Sequence, residues 1–361
     1  MRIAVITLHR VYNYGSALQA YATQKYLEKR GHNVRIIDYI TPQRTKWKLF
    51  WGRGADGQNN IVYRIAKVGS FILKELTFGG FVRSKLNLTK KYITSDDLEK
   101  YPPKADIYIT GSDQTWNSQY NEGIDRGFFL DFLPQNARRI SFVSSFGKTV
   151  LNIEEKNKTK ELLSRYEKIS VREDSAVNII EQLGLASPTQ LIDPTLMIDK
   201  QEWIQIASHR LVKEPYLILM LLYNEDNHAT EFARKIADEK KLKLVKISWE
   251  MKTPRSVDKL FTHRSPADFL SLFNYADFVV TNSFHGLAFS INLEKQFVVV
   301  PRNEFNSRIE SLLKTFDLSE RLVNNENFLN VSREIINYDT IRPIISLEKK
   351  RADEFLEKVG L

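Results

Sequence analysis

The segment Thr281-Asn282-Ser283-Phe284-His285-Gly286 sets an imidazole among small and polar residues directly after the apolar run Phe278-Val279-Val280. The run reads as a buried strand and the residues from Phe284 to Asn292 as the helix that follows, so His285 falls in the first turn of that helix. Free N–H groups there favour an anion and disfavour an imidazolium. A histidine so placed can be held neutral and serve as acid or base. The same residues also read as plain structure, with Asn282 or Ser283 capping the helix and His285 making a structural hydrogen bond.

Cations at other strand ends could hold a carboxylate or a phosphate. Arg172 ends the run Lys168–Val171 and could take an anion bidentately, or pair with Glu173 or Asp174 at a helix start. Arg302 follows Pro301, and Arg308 lies in Asn306-Ser307-Arg308-Ile309-Glu310, both beyond the last strand of the second half. A helix-surface ion pair explains Arg308 equally well.

Polar side chains gather at two further strand ends. Asn13-Tyr14-Gly15-Ser16 follows the first strand, and Asn13 and Ser16 can donate to a sugar or a phosphate. The turn lacks both the three-glycine dinucleotide fingerprint and the P-loop lysine, which argues against NAD and ATP. Gly111-Ser112-Asp113-Gln114 sets three hydrogen-bonding side chains on one turn, suited to sugar hydroxyls or, equally, to a turn with an Asp cap. No metal site is expected, because histidines 9, 32, 209, 228, 263 and 285 form no i,i+4 pair and no HExxH context. Asp96-Asp97 and Glu154-Glu155 read as solvated helix starts.

The elements that must position these residues follow one pattern. Apolar runs Ile3–Leu8, Val34–Tyr39, Asp106–Thr110, Arg139–Ser144 and Lys168–Val171 read as strands, with helices over Ala17–Lys29, Glu154–Tyr166 and Ser175–Leu183. After Asp193-Pro194 the alternation repeats: strands Tyr216–Leu222, Lys243–Ser248, Asp277–Thr281 and Phe297–Val300, helices Ala229–Lys240, Ala267–Tyr275 and Phe284–Asn292. Strands alternating with helices predict two Rossmann-like, doubly wound parallel-sheet α/β domains facing across a cleft. The expected divisions are 1–194, 195–345 and a C-terminal helix over 346–361 that packs back on the first domain. The 361 residues suit two domains.

Composition closes other routes. There is no cysteine, which removes disulfides, thiolate catalysis and cysteine-ligated metals, and fits a cytoplasmic protein. The opening apolar run is too short for a signal-peptide core, and no window of 18 apolar residues exists to span a membrane. Residues 43–91 carry eleven Lys/Arg against Asp56 and Glu75, which accounts for the whole net charge of +9. The excess is therefore one local feature, with no nucleic-acid-binding motif beside it. Within it Ile61, Ile65, Val68, Ile72 and Leu76 form a helical stripe, with Arg64, Lys67 and Lys74 on another face and Trp47, Phe50 and Trp51 upstream. Such a segment could lie on an anionic bilayer, hold an anionic acceptor, meet a second subunit in a homo-oligomer, or simply pack on its own domain.

Taken in order, these segments resemble the polysaccharide pyruvyl transferase family. Ser170-Val171-Arg172-Glu173 is similar to a family Ser-x-Arg-Glu segment, and Thr281 to Gly286 to a family Ser-x-Arg-Phe-His-Gly segment. Asn13 to Ala20, Gly111 to Trp116 and Asp193-Pro194-Thr195 look like further family landmarks. One position departs: Ser283 stands where the family motif usually has arginine, so another cation must hold the donor's anionic groups.

The resemblance implies a GT-B-like architecture and no cofactor. Phosphoenolpyruvate would be the donor and a sugar or lipid-linked glycan of a cell-surface polysaccharide the acceptor, with a pyruvate ketal and phosphate as products. It implies His285 as the catalytic residue and Arg172, Arg308, Arg302, Asn282 and Ser283 at the donor. The acceptor would meet Asn13, Tyr14, Ser16, Ser112, Asp113 and Gln114, at a cytoplasmic site on the inner face of the membrane. A nucleotide-sugar glycosyltransferase of the same architecture, for which Glu225 and Glu304 are available at strand ends, and a non-catalytic glycan-binding protein are the alternatives.

Overall fold

Short apolar runs become parallel strands in both halves of the chain, because each is covered on both faces by helices and can be apolar throughout. The computed structural model describes residues 1–41, 61–222, 227–249, 255–302 and 306–361. Trp47, Phe50, Trp51, Glu225 and Glu304 lie outside the described residues. The chain divides into two units: Met1–Pro194 with Lys350–Leu361, and Thr195–Lys349.

In the first unit the strands are β1 (Arg2–Ile6), β2 (Asn33–Tyr39), β3 (Leu88–Tyr92), β4 (Ile107–Thr110), β5 (Arg139–Ser144), β6 (Lys168–Val171) and β7 (Thr189–Gln190). They form one parallel sheet in the order β3-β2-β1-β4-β5-β6-β7. Val5 of β1 lies opposite Ile36 on one side and Ile109 on the other, so the order reverses at the β1/β4 junction. A crevice opens beyond the carboxyl ends of strands at such a switch point.

The second unit repeats the design with β8 (Tyr216–Met220), β9 (Lys243–Ser248), β10 (Lys259–Thr262), β11 (Phe278–Thr281) and β12 (Gln296–Val299), in the order β10-β9-β8-β11-β12. Here the switch lies between β8 and β11, where Val279 is opposite Ile218 and Val280 opposite Leu219. Each unit is thus an α/β domain built on a parallel sheet, as the alternation predicts.

Several elements escaped the sequence pattern. β3 and β10 lie at sheet edges and read Leu-Thr-Lys-Lys-Tyr and Lys-Leu-Phe-Thr, too polar to stand out as buried strands. The acidic pairs are helix starts of a specific kind. Thr94 with Asp97, and Asn152 with Glu155, form reciprocal capping boxes. The last residues belong to the first unit: Tyr26 donates to Asp353 at 2.7 Å, and Phe355 stacks on Phe142.

The helix Ile61–Lys85 settles part of the basic segment. Phe78, Phe81 and Val82 are buried, and Tyr12 sets its ring edge-on to Phe71 and Phe78. Ile72 and Leu76 of the expected apolar stripe are exposed, so at these two positions the stripe does not pack on the domain. Lys74 is turned inward over the Tyr12 ring, where burial lowers its pKa. Among the described residues no helix is long and apolar enough to cross a membrane.

Candidate active site

The His285 segment sits at the switch point of the second unit. β11 ends at Thr281, and two residues, Asn282 and Ser283, separate it from the helix Phe284–Asn292. Asn282 clasps the chain beyond β8: its Oδ1 accepts from Leu222 N at 2.7 Å and its Nδ2 donates to Leu222 O at 3.4 Å. Ser283 is the helix cap, its Oγ accepting from Gly286 N at 3.3 Å. The serine that replaces the family arginine therefore satisfies a first-turn N–H group that would otherwise lack a partner.

Gly286 is required by a close approach. A Cβ there would lie 2.3 Å from Thr281 Oγ1, which itself donates to Met220 O at 2.7 Å and accepts from Ser283 N at 3.0 Å. The motif's glycine thus lets the helix start press against β11 and holds its first turn in place.

His285 follows as the second helical residue, with only 5% of its surface exposed. Its ring stands edge-on to Phe284 at 5.2 Å. Phe284 also neighbours Arg308, whose guanidinium carbon lies 5.8 Å from the ring centroid. Arg308 is buried in the first turn of the helix Ser307–Thr315, which packs on the His285 helix. Arg302, half-buried beyond β12, has its backbone held by Asn306, which accepts from Arg302 N at 2.9 Å and donates to Arg302 O at 2.7 Å. The second unit therefore gathers His285, Asn282, Ser283, Arg308 and Arg302 on the loops after β11 and β12.

Arg172 belongs to the first unit and has another occupation. Its side chain is 1% exposed, with Nη1 donating to Asp193 Oδ2 at 2.7 Å and Nη2 facing Asp113 Oδ1 at 3.4 Å. Glu173 Oε2 is a third carboxylate oxygen at 3.9 Å. Burial opposes the guanidinium charge, but the fields of Asp193, Asp113 and Glu173 outweigh it and raise the pKa above its usual value. This guanidinium is enclosed by carboxylates, chiefly Asp193 and Asp113.

Of the other first-unit candidates, Ser16, Ser112, Asp113 and Gln114 belong to the same network. Ser16 Oγ donates to Asp113 Oδ2 at 2.6 Å, Ser112 Oγ donates to Asp193 Oδ2 at 3.1 Å, and Asp113 Oδ1 accepts from Gln114 N at 2.8 Å. Asn13 caps the helix Tyr14–Lys29 by accepting from Gly15 N at 2.9 Å, and Tyr14 buries its ring against Phe78. Gln114 Oε1 accepts from Asn117 Nδ2 at 2.9 Å. Ser16, Ser112, Asp113 and Tyr14 are buried, while Asn13 and Gln114 are half-buried and form the more open edge of the group. Gly111, at φ +115, opens this turn, and a Cβ on it would meet Phe142 O at 2.3 Å.

Residues that were not site candidates in the sequence complete the network. Glu173 Oε1 accepts from Ser145 Oγ at 2.8 Å, Phe146 N at 3.1 Å and Gly147 N at 3.2 Å. Gln19 donates to Thr7 Oγ1 at 2.8 Å and to Ser16 O at 2.9 Å. Their signal was a polar or charged residue beside a run otherwise fit for burial, and only the partners show what each one does.

A sequence model of the polysaccharide pyruvyl transferase family matches residues 13–304. No curated protein matches the chain. Similar solved structures include the UDP-N-acetylglucosamine 2-epimerase of Rickettsia bellii, at TM-score 0.53 and 10% identity, covering 99% of this chain and 95% of that one. The UDP-GlcNAc 2-epimerase of Methanocaldococcus jannaschii, in complex with UDP-GlcNAc and UDP, gives TM-score 0.51 at 14% identity, covering 96% and 99%. A glycosyltransferase of avilamycin A biosynthesis gives 0.51 at 12% identity, covering 99% and 96%. At such identities these likenesses show a shared fold, the two-domain α/β fold of GT-B glycosyltransferases and these epimerases. With the family model spanning most of its length and both family segments at strand ends, this chain belongs to the polysaccharide pyruvyl transferase family.

Proposed function

We propose that the chain transfers the pyruvyl group of phosphoenolpyruvate to two hydroxyls of a sugar, in a polysaccharide or its precursor, as a ketal. The reaction adds one proton to C3 of the enol, removes two protons from the acceptor hydroxyls and releases hydrogen phosphate from C2. Each step moves a proton, so a histidine that alternates between acid and base suits it. The observation that carries this reading is His285, the second residue of a helix at the β8/β11 switch point, within a family segment and one ring away from Arg308.

In this reading His285 gives a proton to C3, takes one from the first acceptor hydroxyl as its oxygen bonds to C2, passes that proton to the phosphate as the C2–O bond breaks, and takes one from the second hydroxyl as the ring closes. Arg308, with Arg302 on the neighbouring loop, holds the donor's carboxylate and phosphate and steadies the charge on the departing phosphate. The first-turn amides of the His285 helix add positive potential for the same anion. Arg172 serves as scaffold, and Asn13 and Gln114, at the more open edge of the first unit's network, are the polar groups best placed for acceptor hydroxyls. A lipid-linked acceptor would bring the chain to a membrane surface, for which the basic residues of 61–91 suit anionic headgroups.

Phosphate release from phosphoenolpyruvate, screened against pyranosides and lipid-linked sugars, tests the activity. His285→Gln is expected to lower it about 10²- to 10⁴-fold, with phosphoenolpyruvate still raising the melting temperature. Undiminished turnover in this variant removes His285 from the chemistry. Stabilisation by UDP or GDP but not by phosphoenolpyruvate replaces pyruvyl transfer with a nucleotide-sugar reaction.

A further inference from the structure

The two sides of the helix Ile61–Lys85 meet different surroundings. On one side Phe71 and Phe78 lie against the Tyr12 ring, Phe78 is 6.5 Å from Tyr14, and Phe81 is 6.3 Å from Tyr21. On the other, Ile72, Leu73 and Leu76 are 50%, 50% and 66% exposed. Their spacing places all three on one helical face, and exposed Gly69 and Arg83 continue it at the same spacing. Single exposed leucines are ordinary. Among the described residues, however, no other helix exposes three large aliphatic side chains on one face.

The charge around this face has one sign. Residues 61–91 hold seven Lys/Arg and a single acid, Glu75. Glu75 is already engaged, accepting from Tyr12 Oη at 2.7 Å with Arg83 Nη1 at 3.4 Å. Lys85 and Lys91 are exposed and stand in no ion pair among the described residues. An apolar face on a basic segment fits an anionic bilayer surface, which attracts the cations at long range and takes the aliphatic side chains into its acyl boundary. A second copy of the chain fits less well. A two-fold contact would set the face against its own image and bring the same cations together.

The position along the fold gives the face a use. Tyr12 and Tyr14 flank Asn13 at the carboxyl end of β1, and they pack on Phe71 and Phe78, the same turns of helix that carry the exposed residues outward. A surface that meets Ile72, Leu73 and Leu76 therefore lies about one helix diameter, roughly 10 Å, from the turn that bears Asn13.

We propose that Ile72, Leu73 and Leu76 are a docking face for an anionic membrane, with the helix lying in the plane of the interface and these three side chains entering between headgroups and acyl chains. Docked so, the Asn13 turn stands close enough to the headgroups to meet a sugar carried on a lipid. That use rests on the pyruvyl-transfer reading; the docking does not.

The intact chain is expected to co-sediment with vesicles of equal parts phosphatidylcholine and phosphatidylglycerol, more weakly as salt rises, and to leave vesicles of phosphatidylcholine alone largely unbound. The triple variant Ile72→Ser, Leu73→Ser, Leu76→Ser should weaken that binding about tenfold or more while melting like the parent, because the three side chains are already exposed. Where the triple variant does not fold, Leu76→Cys serves: the chain has no other cysteine, so an environment-sensitive fluorophore placed there should shift to the blue on the mixed vesicles. No binding to the mixed vesicles, equal binding by parent and folded triple variant, or an unshifted fluorophore on bound protein overturns the docking face. So does a dimer that the serine substitutions dissolve in a chain that ignores vesicles, which would give the face to a second copy. Vesicle binding by a chain that releases no phosphate from phosphoenolpyruvate overturns the pyruvyl-transfer reading alone.

Discussion

Replacing Gly286 by alanine adds one methyl group at the tightest contact of the second unit's switch point. Its Cβ would lie 2.3 Å from Thr281 Oγ1, 3.0 Å from Thr281 Cβ and 3.2 Å from Cγ2, so helix and strand must separate or Thr281 must rotate. Overpacking of this kind costs about 1–3 kcal/mol. Rotation also breaks the Thr281 hydrogen bonds to Met220 O and from Ser283 N, each worth about 1 kcal/mol. Alanine's helix preference over glycine returns about 1 kcal/mol. The net loss is about 2–4 kcal/mol. Amides of β11 and of the helix Phe284–Asn292 that exchange through opening of this unit should then exchange roughly 30- to 900-fold faster. Thr281→Ala removes Oγ1, the atom most in the way, together with Cγ2, so the double variant should be more stable than the two single effects together indicate. A displacement of His285 of about 1 Å would also lower turnover about a hundredfold. Exchange rates within about threefold of the parent would refute the claim that Gly286 is there for the close approach.

Two further changes separate scaffold from chemistry. Arg172→Ala strands Asp193, Asp113 and Glu173 in the interior; the expected loss is about 3–5 kcal/mol, seen as a fall in melting temperature of the first unit, and an inactive variant that melts like the parent would return Arg172 to the chemistry. Lys295 donates to Asn274 O from a largely buried site, where burial and then Lys200 lower its pKa from 10.5 to about 8. In the unfolded chain the lysine keeps its proton up to about 10.5, so between these values the unfolded state binds more protons and this group's contribution to stability rises with pH. Lys295→Met should flatten urea-unfolding stability between pH 8 and pH 10.5 relative to the parent, and an unchanged slope would show that Lys295 is not the group responsible.

Much of the architecture was legible from one rule. Runs such as Phe278-Val279-Val280 and Leu217 to Met220 are apolar throughout, and in a parallel sheet that composition follows from burial on both faces. The helix Phe284–Asn292 and the strands Arg139–Ser144, Lys168–Val171 and Lys243–Ser248 run as the periodicity indicates. Edge strands were not legible, because one side of an edge faces no partner and tolerates the lysines of Leu88–Tyr92. At Ile72 and Leu76 the helix stripe is exposed while Phe78, Phe81 and Val82 of the same helix are buried, a choice made by the packing partners and not by periodicity.

By itself the sequence determined the family segments, their order and the strand ends on which His285, Arg172, Arg302 and Arg308 lie, since local periodicity and chain order carry that information. Tertiary structure alone decided what each polar group faces. Ser283 became a helix cap, Arg308 came within one ring of His285, and Arg172 was enclosed by Asp193, Asp113 and Glu173. The reason is distance along the chain. Arg172 and Asp113 stand 59 residues apart, and only the sheet order that sets β4, β5 and β6 side by side brings an arginine and a carboxylate together in the interior, where each satisfies the other.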